Sequence, residues 1–237
     1  MCFSAPVSFT AATALIPVGL VTLHQAWRGD RRFLGPAAFP LLFGVQQAFE
    51  GLVWLNLGGW HPERAPTSAL GFLFFVYLVW PMLVPLAARG LESRPRHRLT
   101  LLGLGLAAGG AGAFVFLPLL LNAGWLEVSV VKRSILYHPR LLVGEQFSEW
   151  AFRIGYALIV TLPLLTSALA NVRLFGGLVA LSLILSALYF DHAFTSVWCF
   201  FAALLSLFIL RLVRIDARTA PPGVRSAPTH AQEASRP

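Results

Sequence analysis

Few residues in this chain could do chemistry, and they are unevenly spread. Gln46, Gln47 and Glu50 stand close together. At helical spacing Glu50 follows Gln46 by four and Gln47 by three, so the three border one face, and Trp54 lies one further turn along it. A second set, His192, Ser196 and Cys199, falls at i, i+4 and i+7, a single stripe that Ser206 continues, with Asp191 beside its start. A carboxylate, two amides, an imidazole, a hydroxyl and a thiol can bind a polar group, move a proton, or hold a soft or borderline metal. The cysteines, Cys2 and Cys199, leave three alternatives open. They could form a disulfide, they could join His192 and Glu50 as weak candidate ligands for zinc or copper, or they could be two unlinked small residues. If Met1 is removed, Cys2 also carries a free amine beside its thiol, a pair able to chelate or to act as a nucleophile.

The elements that must position these residues follow from composition. Of 237 residues, 57% are apolar and 12% are charged, and the mean hydropathy is +0.72. A soluble domain carries about 25% charge, so an ordinary water-soluble globule is excluded. Seven stretches are long and apolar enough for spanning helices, which need about 20 residues. They are 6–27, 34–57, 69–88, 99–121, 151–170, 173–190 and 192–212. A β-barrel is excluded because the runs are continuous rather than alternating. The expected fold is an all-α, seven-helix transmembrane bundle over residues 1–215, followed by a disordered cytoplasmic tail, 216–237. Pro40, Pro81, Pro85, Pro118 and Pro163 fall inside spans and should bend them. Gly105 and Gly109, four apart, offer a face for close helix approach.

The charge of +8 is a topology signal. Thirteen of the 18 cations fall in one set of inter-span segments, from Arg28 through Arg89–Arg98 and Arg173 to Arg236. Five fall in the other: Arg64, Lys132, Arg133, Arg140 and Arg153. The richer set is expected in the cytoplasm, which puts the N-terminus outside and the C-terminus inside a cell membrane that the chain crosses many times. This pattern is not that of a nucleic-acid groove, and no nucleic-acid partner is expected. The first span has no basic region before it and reads as a span rather than a secretory signal. The long outer loop, 122–150, contains a β-branched and aromatic stretch from Trp125 to His138 that suits one or two short strands or an interfacial segment. Trp54, Trp60, Trp125 and Trp150 read as an interfacial belt. His61 and His138 lie in outer loops.

With this topology Glu50 and Cys199 both sit about 10 Å below the outer ends of their helices. The costly polar residues therefore gather in the outer half of the membrane. Two readings of them stand: an outward-facing polar pocket, or interhelical hydrogen bonds that fix the bundle.

Several segments resemble a bacterial integral membrane protein family of unknown function. They are Met1-Cys-Phe-Ser-Ala5, Gln46-Gln47 with Glu50-Gly51 and Trp54, Ser134-Ile135 with Tyr137, Leu162-Pro163, Phe175-Gly176 and Ser196-Val-Trp-Cys-Phe-Phe-Ala-Ala203. The resemblance runs to about residue 212 and implies a seven-helix membrane protein; it carries no activity, cofactor or partner. A membrane hydrolase of the alkaline ceramidase type is disfavoured, because the histidine set of its zinc site is missing. No phosphate-binding glycine loop, H-E-x-x-H, C-x-x-C or G-x-S-x-G motif occurs. The function expected from the residues is a pocket for a small or lipid-like ligand, in a sensor or transport-associated role, lined by Gln46, Gln47, Glu50, Trp54, His192, Ser196 and Cys199. A membrane enzyme using Cys, His and Glu, and a structural scaffold, are the alternatives. The cofactor is unknown, and the one certain partner is the lipid bilayer.

Overall fold

The computed structural model describes residues 4–131, 134–140, 149–189 and 194–219, with residues 123, 149–151 and 215–219 described by backbone alone. Among the described residues, six helical segments are long and apolar enough to cross a membrane: Ala5–Arg28, Arg31–Leu57, Pro62–Leu91, Pro95–Leu121, Ala170–Tyr189 and Phe194–Arg214. A shorter apolar helix covers Phe152–Leu165. Long apolar helices of this number are those of an integral membrane protein.

Helix α1 (Ala5–Arg28) packs along α3 (Phe39–Leu57), which a short helix α2 (Leu34–Ala37) precedes. The break before α3 lies at Pro40, in the first turn, where a missing N–H costs nothing. The α1–α3 crossing is close because Gly19 meets the Leu41 backbone and Gly44 meets Ile16. The third span starts as α4 (Ala65–Phe74), widens into a π-helical turn at Phe75–Val79, and continues as α5 (Trp80–Leu91). Pro81 explains the widening. It cannot donate to the carbonyl of Tyr77, four residues earlier, and its ring would collide with that oxygen.

Helix α6 (Pro95–Leu121) uses the same place. A Cβ built on Gly112 collides with the Tyr77 carbonyl, while Gly105 lies against Leu86 and Gly109 against Met82. Gly103 and Gly110 face open space. The glycine face anticipated at 105 and 109 therefore extends one turn to Gly112, where the proline-freed carbonyl rests on bare backbone.

After α6 the chain forms a hairpin of β1 (Leu126–Val131) and β2 (Ser134–Pro139), antiparallel with Val128 opposite Tyr137 and Glu127 opposite His138. Of the alternatives for the Trp125–His138 stretch of the long loop, the two strands are the ones seen among its described residues. Leu126 and Ile135 turn inward to the cluster around Phe72, Leu73 and Leu119, and Tyr137 stacks on Phe72 at 5.1 Å between ring centroids. The hairpin thus caps one end of the bundle.

Several spans depart from their expected bounds: the third, expected over 69–88, runs over Pro62–Leu91. The fifth, expected over 151–170, is α7 (Glu149–Leu165), 17 residues long, or about 25 Å. Residues 166–169 form the turn to α8 (Ala170–Tyr189) instead. Side chains hold this turn. Ser167 Oγ accepts from Leu169 N–H at 3.3 Å. Arg94 Nη2 donates to the Thr166 carbonyl at 3.0 Å, and Arg173 Nη1 to those of Ser167 and Ala168 at 2.9 and 3.0 Å. The carbonyls released at the end of α7 are collected by two guanidiniums. The last span breaks at Leu207 into α9 (Phe194–Ser206) and α10 (Phe208–Thr219), where Leu207 and Leu210 donate three residues back rather than four. Helix α10 runs past the expected domain end at 215, and residues 220–237 of the expected tail lie outside the described residues.

Arg94 also anchors Glu92 in the α5–α6 connection. Its side chain is 1% exposed and lies 2.7 Å from both Arg94 and His97 Nδ1. Hydrogen bonds from Arg94 hold the Glu92 carboxyl far below the usual carboxylate range.

The Tyr77–Gly112 contact is testable. Gly112→Ala should lower stability by about 1–3 kcal/mol, the cost of overpacking, in thermal unfolding of detergent-purified protein. Gly110→Ala should leave it unchanged. Equal behaviour of the two variants would refute the close approach.

Candidate functional site

Helix α3 supplies the core of the site. Gln46, Gln47 and Glu50 each have no exposed surface. Both oxygens of Glu50 accept hydrogen bonds: Oε2 from Gln47 Nε2 at 3.1 Å, and Oε1 from Ser196 Oγ of α9. One turn back, Gln46 Oε1 accepts from Trp80 Nε1 of α5 at 2.8 Å. The free thiol of Cys199, one turn beyond Ser196, lies against the Gln46 side chain. A fourth bond leaves α3 at its far end, where Asn56 Nδ2 donates to Ser68 Oγ of α4 at 2.9 Å. Helix α3 is therefore tied by side chains to α4, α5 and α9. Other buried hydroxyls in the spans do not do this. Ser182, Ser186 and Ser206 each donate to a carbonyl of their own helix at 2.6–2.8 Å.

The two sets picked from spacing alone do meet, since Gln46, Gln47, Glu50, Ser196 and Cys199 form one cluster. Its members are closed on one another rather than spread around an open polar space. Gln46 Nε2, Gln47 Oε1 and Trp198 Nε1 remain without a hydrogen-bond partner among the described residues, all buried. Trp54 does not join the cluster. It packs against the buried cluster of Val53, Phe72, Leu126 and Ile135 beside the hairpin, its Nε1 buried without a partner among the described residues. Cys2, Asp191 and His192 lie outside the described residues. Among the described residues no three His, Cys, Asp or Glu side chains converge as a metal site would require.

An apolar cleft with a cavity volume of about 40 Å³ adjoins the cluster. Trp80 and Cys199 belong to both. Aromatic walls come from Phe39 and Phe43 of α3, Tyr156 of α7, Phe175 of α8 and Trp198 of α9, and aliphatic ones from Val84, Val160, Leu164, Val179 and Ala202. Phe43 stacks on Trp80 with centroids 3.8 Å apart, and Tyr156 meets the Trp198 ring edge-on at 5.5 Å. Sequence reasoning missed Trp80 and with it the cleft. The available signal was a tryptophan in mid-span, away from either interface, whose N–H must find a partner.

The bond between Glu50 and Ser196 can be measured by a double-mutant cycle with Glu50→Gln and Ser196→Ala. Ser196→Ala alone should cost about 1–3 kcal/mol of stability. The coupling between the two positions should be about 0.5–1.7 kcal/mol. Additive effects would show that the two side chains do not interact.

Comparison with curated proteins finds no match, and comparison with solved structures finds none either. A family model does match, over residues 1–223, which takes in all the described helices, the hairpin and the buried cluster. The chain belongs to this family, a family of unknown function designated DUF6629.

Proposed function

We propose that this membrane protein binds a lipid-like molecule, seating an apolar chain in the cleft between α3, α5, α7, α8 and α9, in a sensor or transport-associated role. The observation that carries this reading is the cleft itself. It is lined by aromatic and aliphatic groups, and it borders a polar cluster that holds three of its helices in register. A chain leaving the bilayer for this cleft gains little from the hydrophobic effect, because lipid tails are already apolar. The gain must come from contact with rigid walls, and Phe43 stacked on Trp80 supplies one. The bonded cluster keeps these walls apart: α3 is fixed to α5 through Gln46 and Trp80 and to α9 through Glu50 and Ser196.

The membrane is taken to be the cell membrane, with the arginine-rich end in the cytoplasm and the hairpin outside. This orientation rests on the thirteen-to-five division of Lys and Arg. It can be checked with single cysteines at Arg96 and Glu127, in a Cys2→Ala, Cys199→Ala background. A membrane-impermeant maleimide added to intact cells should label position 127 and leave 96 unlabelled. The reverse pattern would invert the orientation.

Lipid binding in the cleft can be tested by native mass spectrometry of the protein purified in mild detergent. Wild type should retain bound lipid after the annular shell is stripped. Val160→Trp, which fills the cleft, should lose it, whereas Leu99→Trp, at a position 71% exposed, should keep it. Equal retention by Val160→Trp and wild type, or none by wild type, would overturn the proposal.

A further inference from the structure

The position of the cleft along the bundle says more about its occupant. Phe39 is the first residue of α3, Leu164 the last but one of α7, and Phe175 stands in the second turn of α8. All three belong to the end of the bundle where α5 finishes and α6 begins, because Arg94, between those helices, bonds to Thr166 beyond α7. The cleft therefore extends from the level of Trp198 and Cys199 in mid-bundle to the arginine-rich end.

The charge at that end is unbalanced. Its carboxylates among the described side chains are Asp30 and Glu92, and both are committed. Asp30 is paired with Arg32 at 2.6 Å, and Glu92 with Arg94 and His97 at 2.7 Å. Arg173 has no carboxylate partner among the described residues, and it is exposed. Its Nη1 is held by the Ser167 and Ala168 carbonyls. That fixes the guanidinium on the α7–α8 turn, which joins the segments carrying the cleft-wall residues Leu164 and Phe175, and leaves its remaining N–H groups to an anion. Arg211, in the first turn of α10, adds a second exposed cation, and α10 packs against α8. Phe208, one turn before Arg211, stacks on Phe175 of the cleft wall with centroids 6.5 Å apart.

Resting on the cleft reading above, we propose that the occupant is an anionic phospholipid, its acyl chain in the cleft and its headgroup phosphate paired with Arg173, with Arg211 nearby. A guanidinium at the depth of lipid headgroups meets phosphate oxygens there and binds them through paired N–H donors. The apolar cleft cannot tell one acyl chain from another of equal length, so the choice of lipid falls to the headgroup. One such cation is worth about a fivefold difference in affinity.

The test uses the full chain in mild detergent, titrated with dioleoyl phosphatidylglycerol, dioleoyl phosphatidylcholine or glycerol phosphate and read by native mass spectrometry and thermal unfolding. Wild type should bind phosphatidylglycerol about fivefold or more tighter than phosphatidylcholine, and glycerol phosphate should not stabilise it. Arg173→Gln should lose that preference while still binding both lipids, and Arg173→Lys should keep most of it. Should Arg173→Gln fail to fold, salt of about 1 M, where the screening length is about 3 Å, should erase the preference of wild type. Equal binding of the two lipids by wild type, or a preference that survives both Arg173→Gln and salt, would overturn the headgroup assignment and leave the cleft reading standing. Stabilisation by glycerol phosphate equal to that by phosphatidylglycerol would overturn the lipid source. Unaltered lipid binding in Val160→Trp would overturn the cleft reading itself.

Discussion

Glu50 has no exposed surface in a bundle whose interior is mostly aromatic and aliphatic. A carboxyl group in such surroundings is tolerated only if its oxygens are met by donors, and here Gln47 and Ser196 meet them. That requirement fixes how α9 lies against α3. The neighbouring requirement, that the indole of Trp80 be satisfied, fixes α5 against α3 through Gln46. Because lipid tails are as apolar as leucine, apolar contact alone would not choose among ways of packing these helices. The polar bonds choose, and the space left between the chosen helices is the cleft.

Close backbone approach supplies the rest of the specification. Helix α1 reaches α3 through Gly19 and Gly44, and α6 reaches the third span through Gly105, Gly109 and Gly112. Pro81 links the two devices. By denying Tyr77 its usual donor it opens the π-turn, the freed carbonyl takes its place on Gly112, and the residue before the proline is Trp80, the anchor of Gln46. A single proline thus bears on both the α5–α6 contact and the orientation of the indole that borders the cleft.

Much of this was legible in the sequence, for stated physical reasons. The spans show because their apolar runs are long and nearly free of charge. The Gln46–Glu50 and Ser196–Cys199 sets show because polar groups within spans are costly and their helical spacing puts each set on one face. Three matters were not legible. Whether a buried hydroxyl serves its own helix, as Ser186 does, or a neighbour, as Ser196 does, depends on how helices rotate against each other. The end of α7 at Leu165 depends on Arg94, 72 residues before Thr166 in sequence, reaching the Thr166 carbonyl. The cleft depends on how side chains from five helices fail to fill the space between them, and apolar periodicity does not encode that.

An experimental structure of the protein in lipid nanodiscs bears most directly on all of this, since it shows the Glu50 cluster and the adjoining space at once. The expected result is Glu50 bonded to Ser196 and Gln47, with elongated chain-like density running between Val160 and Val179 towards Arg173. A cleft filled by its own side chains, or Glu50 turned from Ser196 towards a water-filled passage, would contradict it.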